Sequence, residues 1–155
     1  MSLKDIPANY CPLCNLEEEL LIDKGKYWSL VLPKAPYWKY HIMLVPHRHI
    51  VDYAELEVEE FEEFKRYYSF IVEKFKKSDL KYTDGSSIKQ LLFFWRIRED
   101  EYDEYIKTNK ISHFHFHITP EKPHSWDSIM DKDAYKVDTH SVIRIFKDKT
   151  GITKS

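Results

Sequence analysis

The sequence predicts an α+β domain: a mainly antiparallel five-stranded sheet, one long amphipathic helix and a second, short helix. Three observations point there. Apolar runs bounded by Pro, Gly and polar clusters recur along the chain, which is the pattern of strands. One central stretch repeats its apolar residues every three or four positions, which is the pattern of a helix. A composition of 43% hydrophobic and 32% charged residues over 155 positions suits one globular domain with its own core.

The elements follow in order. "KYWSLVLP" (Lys26 to Pro33) reads as a strand, and the prolines from Pro33 to Pro36 turn the chain. "KYHIMLVP" (Lys39 to Pro46) reads as its hairpin partner. Val58, Phe61, Phe64, Tyr68, Ile71, Val72 and Phe75 then share one face of a helix from about residue 55 to 77. "DLKYTDGSS" (Asp79 to Ser87) is rich in turn formers. "SIKQLLFFWRIR" (Ser87 to Arg98) is an apolar strand, and the acidic Glu99 to Asn109 loops out. "KISHFHFHITP" (Lys110 to Pro120) is the next strand, stopped by its proline. Trp126 to Tyr135 suggests the short helix, and "HSVIRIF" (His140 to Phe146) a last strand.

Composition excludes several functions. The 24 basic and 26 acidic side chains leave a formal charge of −2, so nothing in the balance calls for nucleic acid or an anionic membrane. The longest apolar run, Leu91 to Trp95, is far too short to cross a bilayer. The N-terminal ten residues lack the apolar stretch of a signal peptide, and a cytoplasmic location is expected. Only Gly25, Gly85 and Gly151 are glycines, so neither a Walker loop nor a dinucleotide-binding GxGxxG can be built.

Histidine carries the chemistry. His113, His115 and His117 alternate with Phe114, Phe116 and Ile118. In a strand the imidazoles share one face, about 7 Å apart, and the apolar residues share the other. Three readings stay open: the wet face of a half-exposed strand, a His-x-His metal site, or a catalytic row with a neutral imidazole as nucleophile. "CPLC" adds the thiols Cys11 and Cys14, and "HIMLVPHRHI" adds His41, His47 and His49. A tetrahedral site could draw on both cysteines, one of His47 or His49, and one histidine of the row.

These residues resemble the histidine-triad family. "HFHFHIT" matches its His-φ-His-φ-His-φ-φ pattern, apart from Thr119 in the last place. "HIMLVPHRHIVDYAEL" (His41 to Leu56) resembles its "GH-x-LVIPKRH" block, and "CPLC" its zinc-bearing members. The resemblance spans roughly residues 10 to 120 of a single domain, with 121 to 155 as a C-terminal extension packed on it. It implies a nucleotide-phosphate hydrolase or nucleotidyltransferase with a covalent nucleotidyl-histidine intermediate. His115 would be the nucleophile, with His117 and His41 beside it on the phosphate oxygens or the leaving group. Structural zinc would be held by Cys11, Cys14, His49 and His113, with His47 as the rival ligand. A nucleotide or nucleotide-conjugate substrate and a homodimer are implied as well.

The chain departs from the family pattern in three places. Thr108, Asn109 and Lys110 stand where Gly-Gln-Ser or Gly-Gln-Thr usually holds the phosphate, so Asn109 and Lys110 become the substrate-binding candidates. Leu30 stands where an acidic residue usually meets the ribose. The long acidic "REDEYDEYIKTN" precedes the triad. These changes keep open a second reading, a nucleotide-binding or interaction module with weak catalysis.

Overall fold

The computed structural model describes residues 11–34, 36, 39–82, 85–96, 113–120 and 139–147. Five strands form one antiparallel sheet: β1 (Leu21–Lys24), β2 (Trp28–Val31), β3 (Ile42–Pro46), β4 (Leu91–Phe94) and β5 (Phe116–Pro120). The spatial order is β1-β2-β3-β5-β4. β5 therefore lies inside the sheet, between β3 and β4, and its side chains meet neighbours on both sides.

The fold class is as expected, but two elements differ. β1 replaces the strand expected at the C-terminus. Its four residues, "LIDK", follow a run of glutamates and are too few to show alternation. They are held by pairing with β2, with Asp23 opposite Leu30. The segment expected as a strand from His140 to Phe146 lies instead in a helix, α2 (Thr139–Ile145). A strand would line up Val142, Arg144 and Phe146 on one face. A helix groups Val142 with Phe146, four apart, and leaves Arg144 exposed. Phe146 then packs on Phe70 and Phe75, with ring centroids 5.6 and 5.7 Å apart. The helix expected at Trp126 to Tyr135, and the loop from Glu99 to Asn109, lie outside the described residues.

The long helix, α1 (Val58–Lys77), covers one face of the sheet. Glu60 reaches back to the Glu57 N–H at 2.9 Å, closing the first turn, and Lys74, Lys76 and Lys77 face the negative C-terminal end. Tyr67, Phe70, Ile71 and Phe75 bury against Trp28, Leu30, Ile42, Leu44, Phe116 and Ile118. Each fully buried apolar side chain there contributes about 1.5–3 kcal/mol relative to exposure.

α1 also buries a carboxylate that organises the β1–β2 turn. Glu63 accepts the backbone N–H groups of Lys26, Tyr27 and Trp28 at 3.1, 2.9 and 3.0 Å. Gly25 sits so close that a Cβ there would run into the Glu63 carboxylate and the Tyr67 hydroxyl. The opposite face of the sheet carries a smaller cluster: Val31, Met43 and Val45 beneath Cys11 and Leu13. Among the described residues no helix is long and apolar enough to cross a membrane.

Candidate functional site

The site is built on the sheet face away from α1. "CPLC" forms a tight turn, closed by the Asn15 amide donating to the Cys11 carbonyl at 2.9 Å. Cys11 and Leu13 bury on β2 and β3, which aims both thiols along the sheet. The chain leaving β3 is pinned by Arg48, whose guanidinium holds the buried Glu60 carboxylate at 2.6 Å and the Glu55 carbonyl at 2.8 Å. His47 and His49 flank Arg48. His47 Nε2 meets Ser29 Oγ at 3.0 Å, and His49 Nδ1 meets Cys14 Sγ at 3.1 Å.

His113 completes a cluster. Its Nδ1 lies 3.6 Å from Cys11 Sγ and 3.4 Å from Cys14 Sγ. Its Nε2 donates to the Pro46 carbonyl at 2.7 Å, and a carbonyl only accepts. In the neutral ring the Nδ1 lone pair therefore faces the sulfurs. Ligand atoms of Cys11, Cys14, His49 and His113 all lie within 4.8 Å of one another.

This donor set fits a metal ion. A tetrahedral ion with sulfur at about 2.3 Å and nitrogen at about 2.0–2.1 Å needs sulfur–nitrogen separations near ~3.6 Å. Burial, and then the neighbouring Cys11, push the Cys14 thiol up to about 12, so a cation is what would hold both sulfurs as thiolates. Burial also lowers His113 to about 4, against the opposing Pro46 carbonyl, and keeps it a neutral ligand.

The other histidines form a second group. β5 pairs His117 with Met43 of β3 and Phe94 of β4. His41 comes one residue before β3, on the same face as Met43, and follows Tyr40, whose backbone is left-handed at φ 62°. That turn into the strand brings His41 Nε2 to 2.8 Å from His117 Nδ1. His115 stands edge-on to His117, with ring centroids 4.5 Å apart. Its Nδ1 donates to the His113 carbonyl at 2.8 Å, which in the neutral ring puts the lone pair on Nε2. Burial, and then charge on His115, lower His41 to about 3. His41 is thus neutral at physiological pH.

The structure brings His41, His115 and His117 together, and separately gathers Cys11, Cys14, His49 and His113. Asn109 and Lys110 lie outside the described residues. Leu30 is fully buried in the core beneath α1. Phe94 is a site neighbour that the sequence reading missed: its ring stacks on His117 at 4.7 Å and 12°. The run "LLFFW" hid it, because with every position apolar the alternation does not tell one face from the other. Trp95, read as packing, is 41% exposed and stacks on Tyr53.

A family model described as protein similar to CwfJ C-terminal matches residues 4–83, just over half of the chain. The chain belongs to that histidine-triad family. The match includes Cys11, Cys14, His41 and His49 and ends before the triad itself. Solved structures extend the likeness of this histidine-triad chain across the fold. It is similar to a zinc-bound histidine-triad family protein from Mycobacterium smegmatis, at 16% identity and TM-score 0.61, over 90% of this chain and 92% of that one. It is similar to an ADP-glucose phosphorylase from Arabidopsis thaliana solved with ADP-glucose, at 15% identity and TM-score 0.64, over 89% of this chain. It spans only 42% of that enzyme. A Plasmodium falciparum diadenosine triphosphate hydrolase, in complex with Cyclomarin A, aligns at 17% identity and TM-score 0.52, over 81% of this chain and 78% of that one. No curated protein matches the chain in sequence.

Proposed function

We propose that this protein is a nucleotide-phosphate hydrolase or nucleotidyltransferase that works through a covalent nucleotidyl-His115 intermediate. One observation carries the reading: the His115 Nδ1–H is held by the His113 carbonyl at 2.8 Å, the tautomer in which Nε2 is the nucleophilic nitrogen. His115 Nε2 attacks the α-phosphorus, a P–N bond forms, and the bond from phosphorus to the leaving group breaks. Water or another acceptor then attacks the same phosphorus and restores His115. His117 and His41, joined at 2.8 Å, lie beside the reacting centre. They hold the phosphoryl oxygens, where negative charge grows, or deliver a proton to the leaving group. Asn109 and Lys110 are proposed to bind the substrate phosphate.

Zinc is the metal proposed for Cys11, Cys14, His49 and His113. Four protein ligands close the coordination shell, so its part is structural. The family resemblance extends to a cytoplasmic homodimer, which sizing of the purified 18.8 kDa chain tests.

A second reading is a nucleotide-binding module with weak catalysis. Leu30, buried beneath α1, favours it, because that position offers no carboxylate to a ribose. Turnover of nucleoside phosphoramidates, dinucleoside polyphosphates and nucleotidyl sulfates separates the two. Mononucleotide release by wild type and not by His115→Ala supports the enzyme. Binding without release supports the module.

A further inference from the structure

We propose that Tyr40 is a positioning residue: its anchored side chain holds the backbone turn that sets His41 against His117. The inference rests on the proposed place of the His41–His117 pair beside the reacting centre.

Among the described residues Tyr40 alone, apart from glycine, has a left-handed backbone, at φ 62°. In that conformation the Cβ of an L residue crowds the following carbonyl oxygen, and glycine is the relaxed occupant. A bulky residue persists there only where its surroundings hold it. Here they do. The Tyr40 ring packs on the core between the sheet and α1. Its hydroxyl donates to the Lys81 carbonyl at 3.2 Å, and the Lys39 ammonium stands 5.0 Å from the ring centroid. The acceptor is itself fixed, because Lys81 follows the buried Leu80 and pairs with Ser87 in a β-bridge.

The turn is tied on its other side as well. Thr119 stands in the last place of the histidine pattern, where an apolar residue is usual. It is buried, two residues past His117 on the same face of β5. Its hydroxyl donates to the Lys39 carbonyl at 3.4 Å, a long contact. The peptide before Tyr40 is thereby joined to the strand that carries His117, and the Tyr40 side chain to the segment after α1.

His41 follows Tyr40 directly and is buried, with Nε2 2.8 Å from His117 Nδ1. A contact of that length between two ring nitrogens needs one N–H and one lone pair in line. Rotation about either Tyr40 dihedral would swing His41 off that line. The backbone strain and the side-chain anchor can be separated by substitution. Asparagine tolerates the left-handed backbone but brings no ring. Phenylalanine brings the ring without the hydroxyl.

The test is the ¹⁵N–¹⁵N coupling across the His41–His117 hydrogen bond, measured by NMR on the full chain and read beside kinetics. Wild type should show the coupling. Tyr40→Asn should abolish it and lower kcat about 100-fold, with KM and zinc content little changed, because a displaced imidazole misaligns the centre it serves. Tyr40→Phe should keep the coupling and hold kcat within about tenfold of wild type, the cost of one lost hydrogen bond. A folded Tyr40→Asn protein with coupling and kcat as in wild type overturns the proposal. So does a loss of kcat with the coupling intact, and so does a wild type without the coupling. Should Tyr40→Asn fail to fold, Tyr40→Gly, which relaxes the backbone, decides on the same readings. Should no substrate turn over in wild type, the enzyme reading fails, while the coupling still tests the hold of Tyr40 on His41.

Discussion

Two histidine clusters share one face of the sheet, and the chain uses the same side chain in opposite ways. In the first, His113 gives its N–H to the Pro46 carbonyl and turns its lone pair inward, onto Cys11 and Cys14. In the second, His115 gives its N–H to the His113 carbonyl and stands edge-on to His117. The two differ in their companions. Sulfurs around a lone pair make a place for a cation. Imidazoles around a lone pair, His41 and His117 here, make a place for growing negative charge. On the proposed reading, the companions of the lone pair separate a metal ligand from a nucleophile.

Substitutions can pull these roles apart. The largest effect is expected from His115→Ala, which should lower turnover at least about a thousandfold, with zinc content unchanged by metal analysis. Cys14→Ser should act the other way round. It should lose zinc and, where free zinc stands at about a thousand times its Kd, about 4 kcal/mol of stability in urea melts, while turnover falls far less than in His115→Ala. An equal loss of turnover in both variants would erase the distinction.

The face under α1 should affect neither cluster. Glu63→Gln puts an N–H₂ where three backbone N–H groups now converge, at a cost of about 1–3 kcal/mol. Melts should record that loss, with kcat, KM and zinc content as in wild type. A smaller, graded effect follows from His41. Its folded value, about 3, lies below its ordinary 6.5, so as pH falls the unfolded chain takes the proton first. The stability from keeping this ring neutral is complete above pH 6.5 and is lost between 6.5 and 3, by about 1.4 kcal/mol per unit where the slope is full. Melts across that range should have a shallower pH slope in His41→Gln than in wild type.

Much of this arrangement was legible in the sequence. Alternation in "HFHFHI" separated three histidines from Phe114, Phe116 and Ile118, and those apolar residues do enter the core. The helical repeat placed α1 to within three residues at its start. Spacing stopped short elsewhere. It left His47 and His49 as rivals, because the choice depends on Arg48 being anchored to Glu60, a contact between segments twelve residues apart. β1 was too short to show a period and exists through its partner. The last element was misread because "SVIRIF" satisfies alternation and helical grouping alike. Burial of Val142 and Phe146 together is what favours the helix. Phe94 needed the β4–β5 register, which no single segment contains.

The central claim is the covalent step at His115, and the stereochemistry at phosphorus tests it most directly. A substrate chiral at the α-phosphorus, with sulfur in place of one oxygen, would be turned over in isotopically labelled water. Attack by His115 followed by attack by water makes two displacements, and the account predicts net retention of configuration. Inversion would mean that water attacks the substrate directly, and His115 would then not be the nucleophile.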